Sequence, residues 1–141
     1  MPNTDNAPKP TAPRGTKAIP LMLKDHATRV DRIVGWALVD AADYPALARF
    51  RWGMLCSGST AYAMRSEHVP GTASDSTAIY MHRAVLGLPN GTGHATEADH
   101  INFNGLDNRR ANLRVVTRSE QNRHRRPYTR RPKQPAQAVA P

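Results

Sequence analysis

Short apolar runs, broken by turn-forming residues, set the pattern of this chain. Residues 19–23 open the ordered part, residues 24–31 are polar, and residues 33–39 are apolar enough for a strand with Gly35 inside it. A short helix is predicted next. Asp43 can cap it, Pro45 falls where an early helical proline is tolerated, and Leu47 and Phe50 are spaced to face a core. Residues 51–55 read as a strand, 57–60 as a turn and 61–64 as the return strand. A polar loop over 66–76 leads to a strand over 77–83, in which Ile79 and Met81 alternate with Tyr80 and His82. A turn of helix over 81–86 should end near Gly87. Trp36 and Trp52 read as core, and the single cysteine, Cys56, as packing.

The densest stretch is residues 99–126, DHINFNGLDNRRANLRVVTRSEQNRHRR. Residues 95–98 can form a strand, and 102–112 form an Asn- and Arg-rich loop. The β-branched run at 113–117 suits a second strand, with Leu113 and Val115 on one face and Arg114 and Val116 on the other. Thr117 and Glu120 then fit a capping box, which fixes the start of a helix. The frame is strand, loop, strand, helix. Adjacent strand residues point to opposite faces, so Asp99 and His100 can serve one phosphate only where their strand ends. Asn102, Asn104 and Gly105 make such an ending.

Two oxygen donors, Asp99 and Asn122, one turn into the helix, suit a hard divalent cation: Mg²⁺ first, Mn²⁺ as the alternative, with water and phosphate oxygens completing the shell. A neutral imidazole beside that cation can deprotonate water near neutral pH, since an unperturbed histidine titrates at about 6.5. The residues thus spell a phosphodiester hydrolysis site.

The ordered series His82-Arg83, Asp99-His100, Leu106-Asp107-Asn108-Arg109, Asn112-Leu113-Arg114 and Asn122 resembles the HNH endonucleases, in particular their phage and intron-encoded group. The resemblance implies a ββα-metal finger with Asp99 as metal ligand, His100 as general base, Asn122 as second ligand and Asn112 as the residue that holds the loop. It implies a metal-dependent endonuclease on double-stranded DNA, with a homing or a packaging role. Many members carry His at the third signature position, where this chain has Asn122, and His124 lies close by. His82 reads equally as a packed structural histidine or as a group beside the site. Residues 19–65, through Val39-Asp40, Asp43-Tyr44, Phe50-Arg51-Trp52 and Tyr62-Ala63, resemble the sheet-plus-helix module that precedes HNH motifs in phage proteins. They also resemble, more weakly, the DNA-binding domain of plant ethylene-response regulators.

Charge supports a polyanionic partner: 20 Lys+Arg face 11 Asp+Glu, a net +9 over 141 residues. Arg83, Arg109, Arg110, Arg114, Arg118, Arg123, Arg125 and Arg126 are the expected DNA contacts, while Asp107 can instead pair with Arg109 or Arg110 to stiffen the loop. Lone Cys56 excludes a disulfide framework and a multi-cysteine zinc site, and no disulfide-linked partner is expected. No apolar run is long enough for a bilayer and the N-terminus has no signal core, so a cytoplasmic protein, monomeric or weakly dimeric, is expected. The expected plan is α+β: a disordered arm (1–17), a β-rich module (18–70), the HNH nuclease motif (71–126) and a basic, proline-rich disordered tail (127–141). The rival readings are a DNA-binding regulator that keeps the fold without cleavage and, on charge alone, an RNA-binding protein.

Overall fold

A computed structural model describes residues 6–71, 73–90 and 95–125. The expected tail at 127–141, and Arg126 with it, lie outside the described residues. The fold is α+β. In chain order the elements are β1 (Thr16–Lys24), β2 (Asp31–Asp40), α1 (Tyr44–Leu47), β3 (Gly53–Ser57), β4 (Thr60–His68), β5 (Ser76–Tyr80), α2 (Met81–Leu86), β6 (Thr96–His100), β7 (Leu113–Thr117) and α3 (Arg118–His124). A single 3-10 turn, Arg110–Asn112, leads into β7.

The sheets follow the alternation. β1 and β2 pair antiparallel from Thr16 opposite Asp40 to Lys24 opposite Asp31. β3, β4 and β5 form a three-stranded antiparallel sheet, and β6 and β7 an antiparallel pair in which Asp99 lies opposite Arg114. α2 ends at Gly87, whose φ of 66° places it in the left-handed region that glycine adopts without a Cβ penalty. α3 starts on the expected capping box: Thr117 accepts from the Glu120 N–H, and the Glu120 carboxylate accepts from the Thr117 N–H.

One core joins the described strands and α2. Ile19, Leu21 and Val39 from the first two strands and Trp52 just before β3 cluster with Ile79, Met81 and Val85 around α2 and with Leu113 of β7. The expected boundary between 70 and 71 therefore falls inside the β4–β5 connection of one sheet. The site loop is also tied to β2: Leu38 N–H donates to the Leu106 carbonyl and Asn108 N–H donates to the Leu38 carbonyl, each at 2.8 Å.

Several local expectations change in three dimensions. The described part of the arm is anchored: Asn6 and Ala7 bond to the backbone of Ile33, and Trp36 Nε1–H donates to the Ala7 carbonyl at 2.9 Å. Trp36 is accordingly half-buried beneath the arm, whereas Trp52 is fully buried. Asp43 makes no side-chain cap on α1, because its carboxylate takes both arms of Arg110 at 2.8 and 2.9 Å. α1 stops at Leu47, so the spacing that puts Leu47 in the core does not extend to Phe50, which is 42% exposed beneath the Arg65 guanidinium. Cys56 is exposed near the β3–β4 hairpin tip and does not pack.

Candidate active site

β6 carries the central pair, and it ends at His100. The two side chains leave it in opposite directions. His100 turns inward, 6% exposed, against the rings of His82 and Tyr62 at centroid distances of 4.9 and 5.9 Å. Asp99 turns toward β7 and α3. Its Oδ2 accepts from Arg114 Nε and Nη2 at 2.9 and 2.7 Å, and His124 Nδ1 lies 3.6 Å away.

The loop between β6 and β7 is closed by asparagines. Asn112 Oδ1 accepts from the Asn102 N–H at 3.0 Å, while its Nδ2 donates to Asn102 Oδ1 and to the Asp107 carbonyl, both at 2.9 Å. The Ile101 N–H in turn donates to the Asn112 carbonyl. Asn112 thus joins both limbs of the loop directly behind His100. Gly105 seats the loop on β4: a Cβ there would overlap the Ala61 carbonyl oxygen and stand 2.8 Å from the Tyr62 ring.

The residue that aims His100 is Asn108, which is 0% exposed and places Oδ1 2.9 Å from His100 Nε2. With the carboxamide oxygen on Nε2, that nitrogen carries the proton and Nδ1 keeps the lone pair. Sequence reasoning placed Asn108 within a motif and gave it no role; in sequence, an asparagine in a polar loop is indistinguishable from a turn residue. Burial lowers the pKa of His100, and the Asn108 hydrogen bond with the charges of Asp99 and Asp107 offsets this in part. Burial, then the neighbouring His100 and Arg83, brings His82 down to about 3. His82 is thus a packed neutral histidine in ring contact with His100.

The arginines divide into three groups. Arg83, expected on DNA, is 5% exposed and donates to Glu97 at 3.0 Å and to the Pro89 carbonyl at 2.8 and 2.6 Å. It braces α2 against β6 and presents no open face to a phosphate. Arg109 pairs with Asp107, Arg110 with Asp43 and Arg114 with Asp99. Arg118, Arg123 and Arg125 are exposed and form no ion pair among the described residues. An open groove between β7 and α3 is lined by Arg114, Val115, Val116, Glu120, Arg123 and His124.

Residues 80–123 match the family model described as HNH endonuclease. Over this segment the chain is similar to the HNH endonucleases. The match spans α2, β6, the asparagine loop, β7 and most of α3, and residues 1–79 lie outside it. No curated protein and no solved structure matches the chain.

The family resemblance implies a divalent cation, and Asp99 within the segment together with His124, one residue beyond it, offers donors that fit one. Asp99 offers a carboxylate, and the His124 Nδ1 facing it is buried without a hydrogen-bond partner. Among the described residues no three His, Cys, Asp or Glu side chains group into a metal site, so water and substrate oxygens must complete any shell. Asn122 is exposed on α3, and the helix residue that reaches Asp99 is His124.

Proposed function

We propose that the chain is a metal-dependent endonuclease that nicks or cuts double-stranded DNA. The supporting observation is the end of β6, where a carboxylate faces α3 while an adjacent neutral imidazole is held by Asn108. His100, kept unprotonated by burial, takes a proton from water at Nδ1 while Asn108 retains the proton on Nε2. Asn112 keeps the loop closed so that the imidazole is not displaced. Asp99 is a cation ligand, and α3 provides the second donor. The cation, when bound, neutralises charge on the phosphate and on the leaving oxygen. Arg118, Arg123 and Arg125 hold the sugar–phosphate backbone without reading bases. Mg²⁺ or Mn²⁺, a phage or mobile-element source and a place in the host cytoplasm are the finer parts of this reading.

The second reading is a DNA-binding protein that keeps the HNH frame without cutting. The Arg114 guanidinium on Asp99 favours it, because it neutralises the carboxylate without a metal. Supercoiled plasmid incubated with a divalent cation or with chelator, beside a gel-shift titration, separates the two. Cation-dependent conversion to nicked circles supports the nuclease. DNA binding with no conversion in any cation supports the second reading.

A further inference from the structure

The second protein donor is a question of helix geometry. Residues two apart on a helix lie on different faces, and residues three apart share one. On α3, Gln121 and His124 are both partly buried, while Asn122 and Arg123 between them are exposed. The face turned to Asp99 is therefore the one that carries His124, and Asn122 points away from it.

Three observations converge on that imidazole. Its Nδ1 stands 3.6 Å from Asp99 Oδ2, and it is buried with no hydrogen-bond partner. Its ring stacks on Phe103 at a centroid distance of 5.1 Å and an interplanar angle of 19°. Phe103 itself has φ +62°, a left-handed conformation that aromatic residues rarely adopt, one turn beyond His100. Two donors on one cation at about 2.1 Å each stand about 3.0–3.6 Å apart for angles of 90–120°. The Asp99–His124 gap meets that range with little movement.

We propose that Asp99 and His124, not Asn122, are the protein ligands of the cation, with Phe103 as the residue that positions the imidazole. This rests on the metal-dependent reading above and fixes which ions the site takes. An imidazole nitrogen beside one carboxylate favours a transition ion of the zinc type over Mg²⁺. Arg114 pairs with Asp99, and a cation bound there would compete with the guanidinium for the carboxylate.

The test is calorimetric titration of the full chain with Zn²⁺, beside His124→Ala, His124→Gln and Asn122→Ala, with circular dichroism to confirm folding. The His124 replacements should weaken binding roughly tenfold or more and Asn122→Ala by less than about twofold. Zn²⁺ should also move the ¹⁵N resonance of His124 Nδ1. Unchanged affinity in both His124 variants, loss in Asn122→Ala, a His124 resonance that stays in place, or a wild type that takes up no Zn²⁺ overturns the assignment. Plasmid nicking on the same samples separates the two levels. Cation-dependent nicking that survives loss of His124 overturns this assignment and leaves the nuclease intact. Zn²⁺ binding that depends on His124, without nicking by any sample, supports the assignment and removes the nuclease.

Discussion

Replacing His82 with Phe should make the fold markedly less sensitive to acid. The ring of His82 packs against Tyr62, Tyr80 and His100, its Nδ1 has no hydrogen-bond partner, and burial first, then His100 and Arg83, brings its pKa from 6.5 to about 3. A folded-state pKa below the unfolded one means that unfolding takes up a proton between these two values. Stability is then complete above pH 6.5 and falls as the pH drops toward 3. For one such group the loss between pH 8 and pH 5 is about 2 kcal/mol, a large share of a typical total of 5–15 kcal/mol. Phenylalanine keeps a ring among the tyrosines and cannot titrate. The assay is urea unfolding of both proteins at a series of pH values, followed through the fluorescence of buried Trp52. The wild type should lose about 2 kcal/mol more than His82→Phe over that interval. His100, also lowered by burial, acts in the same direction in both proteins. Coincident pH profiles would refute the reasoning and place His82 in water.

Gly105→Ala should cost about 2–3 kcal/mol in calorimetric unfolding, because the new methyl meets the Ala61 carbonyl and the Tyr62 ring; a loss within error would mean the loop can lift off β4 freely. Arg83→Met should cost about 3 kcal/mol, from a broken buried ion pair with Glu97, while DNA affinity of the folded variant stays unchanged at every salt concentration. A flatter salt dependence there would restore Arg83 to the DNA surface. Arg123→Gln with Arg125→Gln should lower the slope of log K against log salt by about 1.8 on duplex DNA, and an unaltered slope would show that α3 does not touch the backbone.

Much of this frame is written in local sequence. The glycine that ends α2 and the Thr117–Glu120 capping box are short-range signals, and each appears at its expected place, whereas the strand expected over 77–83 ends at Tyr80 and gives Met81 and His82 to α2. The loop role of Asn112 is legible because its partners, Asn102 and Asp107, lie within ten residues. What local pattern misses is partnership across the fold. Asp43 looks like a helix cap until Arg110, 67 residues away, takes its carboxylate. Arg83 looks like one more cation in a basic chain until α2 turns it onto Glu97. Asn122 satisfies a motif by order alone, whereas the helical face decides that His124 meets Asp99. The expected break near residue 70 falls between two paired strands, and composition in a loop cannot reveal that β4 and β5 are neighbours.

The proposed hydrolytic site is best tested by one comparison. Wild type and His100→Ala are mixed with supercoiled plasmid and a series of divalent cations, and both nicking and DNA binding are scored. The expected result is cation-dependent nicking by the wild type, stopped by chelator. In His100→Ala, nicking should fall roughly 10²–10⁴-fold while DNA binding is retained. Nicking by His100→Ala at the wild-type rate would contradict the role given to this imidazole.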